Sequence, residues 1–385
     1  MSVTAAKGFL AAGIAAGIKE SQNPDLALVV NSGPRLAAAG VFTANRVKAA
    51  PVLWSEQVLK GGRVSAVILN SGGANACTGP LGFQDTHATA EKVAEVLDGH
   101  SAGEVAVAST GLIGVRLPMD KLLPGVEKAA AELTGHGGEK AAIAIKTTDS
   151  VHKTAQVTTS EGITVGGMAK GAGMLAPGLA TMLAVLTTDA DVPAEQLDAV
   201  LRGATRTTFD RVDSDGCMST NDTVLLLASG AAGVVPDPDS FAAAVREVCD
   251  DLARQLIGDA EGASKDIRIE VINAASEDDA VEVGRSIARN NLLKCALHGE
   301  DPNWGRVLSA IGTTAAAFDP DRLNVAINDV WVCRNGSVGE DRELVDMRYR
   351  EVRITADLAA GAHSAVIWSN DLTADYVHEN SAYSS

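Results

Sequence analysis

Short runs of apolar residues, each bounded by Gly, Ser or Asn, recur along the whole chain. Runs of this length with turn-forming residues at their ends are typical of buried β-strands. They predict strands at Ala27–Val30, Ser65–Leu69, Val105–Ala108, Ala184–Leu186, Ile267–Ile272, Leu323–Ile327, Val352–Ala356 and Ala365–Trp368.

Between these runs, apolar residues recur at the spacings of three and four that mark helices. In Asp239–Gly258 they form one apolar stripe, which predicts an amphipathic helix. The stretch Ser276-Glu-Asp-Asp279 is typical of a capping box and predicts a second helix over roughly Glu277–Leu293. Because strands and helices mix along the whole length, we predict an α/β or α+β protein built in layers.

Composition and charge limit both the residues available for the core and the kinds of molecule that this protein can bind. The 385 residues suffice for two domains or one large one, and with 46% hydrophobic but only 3% aromatic residues the core must consist of Ala, Val, Leu and Ile. Lys plus Arg number 32 against 49 Asp plus Glu, a net charge of −17. This charge argues against nucleic acid or an anionic membrane as the natural partner.

Neither the cysteines nor the N-terminal apolar stretch indicates export. The five cysteines are an odd number without C-x-x-C spacing, which fits a reducing cytosol better than a disulfide framework. The stretch Gly8–Ile18 is too short to span a bilayer and lacks a clear cleavage site, so we expect it in the mature protein. We therefore expect a cytoplasmic protein, and the spacing of the histidines predicts no catalytic metal.

The most informative stretch is Lys170-Gly-Ala-Gly-Met-Leu-Ala-Pro-Gly-Leu-Ala-Thr181. Cleavage of the Ala180–Thr181 bond would give Thr181 a free α-amino group beside its own hydroxyl. A threonine hydroxyl needs a base to become a nucleophile, and an α-amino group with a pKa near ~8 can be that base at neutral pH. Thr181 would then supply nucleophile and base in one residue.

Two other interpretations of this stretch stay open from the residues alone. Gly171-Ala-Gly-Met-Leu-Ala176 also fits the dinucleotide-binding pattern G-x-G-x-x-A. That pattern needs a helix to begin within it, and Pro177-Gly178 disfavour helix continuation. The second interpretation is a glycine-rich turn without catalytic function.

Six further motifs occur along nearly the whole chain, before and after this stretch. Their order along the chain makes the series highly specific. With the stretch around Thr181, they resemble the ornithine acetyltransferase family, also called glutamate N-acetyltransferases of arginine biosynthesis. The motifs are Ala38-Ala-Gly-Val-Phe-Thr-Ala-Asn45, Asn70-Ser-Gly-Gly-Ala-Asn-Ala-Cys-Thr-Gly79, Ser109-Thr-Gly-Leu-Ile-Gly114, Ser219-Thr-Asn-Asp-Thr223, Gly258-Asp-Ala-Glu-Gly262 and Asp301-Pro-Asn-Trp-Gly-Arg306.

The resemblance implies a layered α/β sandwich similar to N-terminal-nucleophile hydrolases but differently connected. It implies autocatalytic cleavage between Ala180 and Thr181 into an N-terminal chain, 1–180, and a C-terminal chain, 181–385. The two chains are expected to form one intertwined catalytic fold, with a smaller C-terminal α/β part, rather than two separate domains.

The resemblance also assigns site residues. Thr181 is the expected nucleophile, and Thr110 and Gly111 match the oxyanion-hole positions. Substrate-contacting positions match Thr147, Lys170, Thr181, Glu261, Asn380 and Ser385.

Two of these assignments depart from the family pattern or are ambiguous. Thr148 is an alternative to Thr147. Ala260 stands where the family usually has Gly, which puts the turn before Glu261 in doubt.

The activity implied by the resemblance is acetyl transfer from N-acetylornithine to glutamate through an acetyl-Thr181 intermediate. It needs no cofactor, and whether acetyl-CoA also donates acetyl groups stays open. The cleaved chains are expected to pair as an α2β2 assembly or a larger one. A self-processing aminopeptidase or amidase of the same fold is the alternative enzyme, and a non-catalytic small-molecule-binding protein is a third class.

Overall fold

The computed structural model describes residues 2–176 and 182–382. The predicted nucleophile Thr181, its neighbour Ala180 and the C-terminal Ser385 therefore lie outside the described residues. Two compact units make up the chain. The first contains the described residues up to Asp210 together with Cys217–Asp259, and the second contains Arg211–Gly216 and the described residues from Ala260 onward.

The first unit contains two sheets. Sheet A has the order β1-β2-β4-β5 and sheet B the order β3-β9-β8-β7-β6. The pairs β4/β5 and β8/β9 are parallel and the other pairs are antiparallel. The strands are β1 (Phe9–Ile14), β2 (Leu26–Asn31), β3 (Ala37–Phe42), β4 (Ala66–Ser71), β5 (Val105–Thr110), β6 (Lys153–Thr158), β7 (Thr164–Lys170), β8 (Leu183–Thr188) and β9 (Thr223–Ala228).

The two sheets pack face to face, and helices cover their outer faces. Side chains from both sheets share one core cluster, which includes Val67 and Leu69 of sheet A and Val185 of sheet B. The opposite face of sheet A packs against α2 and α3, and α6 packs on the outer face of sheet B, where Gly167 lies against Val248 and Leu252. The helices of this unit are α1 (Ala50–Leu59), α2 (Gly79–Val96), α3 (Met119–Ala131), α4 (Gly138–Ala144), α5 (Ala194–Thr207) and α6 (Pro238–Gly258).

The second unit is a six-stranded mixed sheet with helices. Its strand order is β13-β12-β11-β14-β10-β15, with β10 parallel to β14. Its core joins this sheet to α7, α8 and α9. The elements are β10 (Asp266–Ala274), α7 (Glu277–Ala288), α8 (Asn291–His298), α9 (Trp304–Ile311), β11 (Asn324–Ile327), β12 (Val330–Arg334), β13 (Ser337–Val338), β14 (Glu351–Asp357), β15 (His363–Asn370) and α10 (Ala374–Ala382).

The layered α/β prediction is confirmed, and so are all eight predicted strands, as β2, β4, β5, β8, β10, β11, β14 and β15. The apolar stripe of Asp239–Gly258 is buried in α6, and the Ser276 hydroxyl caps α7 by accepting the Asp279 N–H at 3.1 Å. The prediction that this second helix continues to Leu293 is wrong. It ends at Ala288 because the Asn290 side chain accepts the Leu293 N–H and thereby starts α8.

The stretch Gly8–Ile18, considered above as a possible leader, provides β1, which pairs with β2 inside sheet A. Within residues 2–176 and 182–382, no helix is both long and apolar enough to cross a membrane.

Candidate active site

Two predicted site residues end strands of different sheets and touch each other. Thr110 is the last residue of β5 and Lys170 the last residue of β7, and the Lys170 ammonium donates a hydrogen bond to Thr110 Oγ1 at 3.3 Å. Their exposed fractions are only 4% and 2%. Because lysine is rarely buried without a specific partner, Lys170 is not an ordinary surface lysine.

Gly111, the second predicted oxyanion-hole residue, adopts a conformation that requires glycine. Its φ is +127°, and a Cβ there would lie 2.5 Å from the Gly73 nitrogen. The Gly73 N–H donates to the Thr110 carbonyl at 3.0 Å, so the 72–74 loop and the 110–111 turn are in direct contact. The 72–74 loop therefore requires a glycine at position 111, and the oxyanion-hole role of Gly111 stays a prediction.

A buried polar pair fixes the same two loops. The Ser109 hydroxyl donates to Asn70 Oδ1 at 2.6 Å, and Asn70 Nδ2 donates to the Gly73 carbonyl at 2.9 Å. Asn70 and Ser109 belong to motifs quoted above, but spacing alone gave no indication that their side chains meet. They hold the backbone around Thr110 in one orientation.

A buried carboxylate, Asp149, connects two predicted substrate-binding positions. One oxygen accepts the Thr147 N–H at 3.0 Å, and the other accepts the N–H of Gly171, the residue after Lys170, at 2.6 Å. The Lys153 ammonium, fully buried, donates to Asp149 at 2.7 Å and to Asp259 at 2.6 Å. Asp149 thus anchors the main chain at Thr147 and at Gly171, directly after Lys170. The choice between Thr147 and Thr148 as the substrate contact stays a prediction.

The charges around Asp149 determine its ionisation. Burial alone would raise the pKa of this carboxyl group, but the ammonium groups of Lys170 and Lys153 outweigh burial and hold its pKa well below the usual range. Asp149 is therefore an anion in the fold, and it partly compensates the charge of Lys170. Sequence reasoning missed Asp149 and Lys153, although Asp149 lies within Lys146-Thr-Thr-Asp-Ser150.

In the second unit, two more predicted substrate contacts meet. Asn380 on α10 donates through Nδ2 to Glu261 Oε2 at 3.0 Å. A Cβ at Gly262 would lie 2.2 Å from the Tyr376 nitrogen, so the start of α10 packs closely on the turn that carries Glu261. Ala260 is nearly buried and does not have a positive φ, so alanine fits this turn without backbone strain.

The part of the chain that the structure describes contains no group of three or more His, Cys, Asp or Glu residues arranged to hold a metal ion. The irregular segment 171–176 that follows β7 contains no helix start. A dinucleotide-binding turn requires such a helix, so this geometry weakens the alternative interpretation of Gly171–Ala176.

The buried threonine–lysine contact and the glycine turn have the features of a site that binds a small anionic group and stabilises developing negative charge. The model of the ArgJ family matches residues 10–385. A curated relative, the arginine biosynthesis bifunctional protein ArgJ of Streptomyces avermitilis, is 82% identical over 385 residues, which is 100% of both chains. The chain therefore belongs to the ArgJ family.

Two solved structures were also matched. The arginine biosynthesis bifunctional protein argJ of Bacillus halodurans is 34% identical, with a TM-score of 0.50, over 52% of this chain and 98% of that one. An ornithine acetyltransferase of Mycobacterium tuberculosis in complex with ornithine is 63% identical, with a TM-score of 0.46, over 47% of this chain and 96% of that one. The family and the acyltransferase activity predicted from the motifs are confirmed by the whole-length relatives.

Proposed function

We propose that this chain transfers the acetyl group of N-acetyl-L-ornithine to L-glutamate through an acetyl-Thr181 intermediate. The observation that carries the proposal is the position of Lys170. Its ammonium lies buried beside Thr110, and its main chain pairs with Leu183, two residues after Thr181. A cation, a hydroxyl and the chain that begins with the proposed nucleophile therefore converge at one end of sheet B.

The reaction consists of two balanced half-reactions. In the first, the α-amine of Thr181 takes the hydroxyl proton while Oγ attacks the acetyl carbonyl carbon. The C–N bond to ornithine then breaks, and the leaving nitrogen takes that proton. In the second, the amine of glutamate attacks the acetyl ester, its proton passes to the α-amine, and Thr181 Oγ leaves. The proton then returns to Oγ, which restores the free enzyme.

Each half-reaction passes through a tetrahedral oxyanion. We assign its stabilisation to Thr110 and the Gly111 turn, because fixed donors at the developing charge contribute more than donors that must reorient. The fixed contact between Gly111 and Gly73 and the buried Asn70–Ser109 pair support this assignment, since they leave the turn little freedom.

The remaining predicted contacts serve binding. We assign Lys170 and Thr147 to the substrate carboxylate, with Asp149 holding the backbone beside both. We assign Glu261 to an ammonium group of ornithine. Asn380 donates a hydrogen bond to that carboxylate. We also assign Ser385 to the substrate contacts, as the family resemblance implies.

We propose that the enzyme cuts itself before it acts. Thr181 Oγ would attack the Ala180 carbonyl carbon, the Ala180–Thr181 C–N bond would break, and water would hydrolyse the resulting ester. The length of the matched Bacillus halodurans chain supports this, because 52% of the present chain covers 98% of it. Cleavage before Thr181 would leave pieces of 180 and 205 residues, so the larger is also about half of the chain.

Three finer features belong to the same proposal. The relatives are named bifunctional, so we propose that acetyl-CoA also donates acetyl groups to glutamate. We further propose an α2β2 or larger assembly of the cleaved chains, located in the cytoplasm.

Ornithine release from N-acetylornithine tests the activity. The transferase should release ornithine in stoichiometric amounts with N-acetylglutamate when glutamate is present, and at most one equivalent per active site when it is absent. Continuous release of ornithine and free acetate without glutamate would instead identify the hydrolase alternative. The absence of any ornithine release would contradict both.

A further inference from the structure

The segment Ser219–Thr223, which leads into β9, contacts the Thr110 loops through Asn221. Asn221 Nδ2 donates to two main-chain carbonyls, Ala74 at 2.6 Å and Ser109 at 2.8 Å. Its Oδ1 accepts the Thr220 hydroxyl at 2.6 Å, so the orientation of the amide is fixed by its hydrogen bonds. The side chain is buried, and a single group therefore ties together the two loops that meet at Thr110 and Gly111.

The next residue, Asp222, holds the start of the proposed C-terminal chain. Its Oδ1 accepts the N–H of Met182, the residue that follows Thr181, at 3.1 Å. The Thr223 N–H donates to the Met182 carbonyl at 3.1 Å, so Met182 is held on both sides of its α-carbon. Asp222 is fully buried, and its carbonyl accepts the Thr43 N–H at 3.0 Å.

We propose that Asn221 and Asp222 are positioning residues that set the separation between the Thr110–Gly111 turn and the nucleophile. Because they are consecutive, one short piece of backbone connects the carbonyl of Ser109 to the amide of Met182. The proposal rests on the proposed function, in which the residue before Met182 is the nucleophile. These hydrogen bonds do not involve the Ala180–Thr181 bond, so they can orient the site both before and after cleavage.

The Asp222 carboxyl group is suited to this role as a neutral acid. Burial raises its pKa well above the ordinary value, against the opposing influence of the Met182 N–H, the charge of Lys170 and the Ser219 hydroxyl, while Asp210 adds to the rise. Its Oδ2 has no hydrogen-bond partner at ordinary distance among the described residues. In a neutral carboxyl group Oδ1 still accepts the Met182 N–H, and the amide oxygen of an asparagine can accept it in the same way.

Four variants test the proposal in the cleaved enzyme. Asn221→Ala and Asp222→Ala should lower kcat for acetyl transfer roughly 100-fold, the loss expected from a misplacement of about 1 Å. KM should change little, because the oxyanion forms only in the transition state. Asp222→Asn should recover most of kcat. The matched control is Asn31→Ala: Asn31 is also fully buried and donates to a main-chain carbonyl, that of Ala228 at 3.1 Å.

Asn31→Ala should lower the melting temperature but leave kcat within about twofold of the wild-type value, because its bond does not reach the Thr110 loops. If Asn221→Ala does not fold, Asn221→Ser keeps one donor and should show a smaller fall in kcat at unchanged KM. Self-cleavage of the precursor, followed by mass spectrometry, should slow in the same order as kcat falls.

The outcomes separate this inference from the proposed function. A wild-type enzyme without transfer would overturn the proposed function itself. An active wild type beside an Asn221→Ala variant with unchanged kcat, or with no greater loss than Asn31→Ala, would overturn the positioning role alone. Equal damage from Asp222→Asn and Asp222→Ala would overturn the role of Asp222 as a neutral acceptor.

Discussion

At the end of β7 the ammonium group of Lys170 is buried. The carboxylate of Asp149 compensates its charge, and Lys153 in turn lies between Asp149 and Asp259. A buried ion pair of this kind adds little net stability over apolar residues of the same size. Here the ion pair instead positions the main chain, since Asp149 accepts hydrogen bonds from the N–H groups of Thr147 and Gly171.

Replacing Lys153 with Met should destabilise the first unit by about 3–5 kcal/mol, because it removes the buried ammonium from between Asp149 and Asp259 and leaves the buried Asp149 with the charge of Lys170 alone. Urea unfolding measures the change, in a Thr181→Ala background so that the chain stays intact. Lys92→Met is the matched control, since Lys92 pairs with the exposed carboxylates of Glu95 and Glu127 and should cost less than about 1 kcal/mol. A similar loss in both variants would contradict the importance of burial.

Replacing Lys170 with Met should raise the KM for glutamate by about 10- to 100-fold, the loss expected for a hydrogen bond between charged groups. Steady-state kinetics at saturating N-acetylornithine measure it. Lys60→Met, at an exposed lysine at the end of α1, serves as the control and should leave KM unchanged. A normal KM in Lys170→Met would remove Lys170 from the substrate contacts.

Asp222 predicts a pH dependence with a definite sign. Its folded-state pKa is raised, so the unfolded chain loses the proton first, near pH ~3.9, and the folded state loses stability as the pH rises above that value. Asn cannot ionise. Asp222→Asn should therefore gain stability relative to the wild type by up to about 1.4 kcal/mol per pH unit above pH ~4.

Urea unfolding at pH 5, 6 and 7 measures this difference between Asp222→Asn and the parent, both carrying Thr181→Ala. Contributions from other titrating groups cancel in the comparison. A difference that stays constant across these pH values would show that Asp222 is ionised in the fold.

Motifs identified Thr110, Gly111 and Lys170 from the sequence, and the structure places them together. They could not predict the contacts of Asn221, because its partner Ala74 lies 147 residues away in the chain. A side chain that bonds to main-chain carbonyls requires no particular residue type at the other end. Such contacts leave no pattern in the sequence of the partner.

At the scale of elements, burial made strands easier to predict, although the fully buried β9 was not among the predicted strands. The apolar runs became strands with both faces covered, such as β2, β4 and β8, whose residues are all buried. The strands β6 and β7 lacked this signal, because β6 is polar and β7 contains Gly166 and Gly167. These glycines are needed for packing: a Cβ at Gly166 would lie 2.3 Å from the Ser2 carbonyl oxygen. The helix α3 contains Pro124, which argues against a helix when only the sequence is read.

The helix α10 brings Asn380 to Glu261, and the chain continues beyond it for a few residues to Ser385. Deleting Ser385 should lower kcat/KM about tenfold, as expected for the loss of one hydrogen bond, without changing the melting temperature. Ser385→Thr keeps the hydroxyl and should restore activity. Wild-type kcat/KM in the chain ending at Ser384 would exclude a substrate contact by Ser385.

At the scale of the whole molecule, the layered fold followed from the mixture of strands and helices, and the family followed from the ordered motifs. Neither the mixture of strands and helices nor the motifs predicted that the first unit contains two sheets. It depends on which strands pair, and β3 joins β9 across more than 180 residues, from Ala37 opposite Ala228 to Phe42 opposite Thr223. Local pattern carries no information on such pairings.

Thr181→Ala should remain a single full-length polypeptide and release no ornithine, because it lacks the hydroxyl for both cleavage and transfer. Intact-mass measurement should give one species of about 39.5 kDa for this variant, whereas the wild type should give two. Efficient processing of this variant would show that an external protease makes the cut. Thr181→Ser, which keeps a hydroxyl, should still cleave and should turn over at a different rate.

Sheet B contains strands from both sides of the proposed cut, in the order β3, β9, β8, β7 and β6, with β8 and β9 in the middle. Such a sheet can form by ordinary single-chain folding only once, while the polypeptide is still continuous. Once the Ala180–Thr181 bond is cleaved, unfolding separates the enzyme into two chains that must associate again. Recovery of activity should therefore depend on protein concentration. The active lifetime of the cleaved enzyme would then depend on its rate of unfolding, rather than on the equilibrium between folded and separated chains.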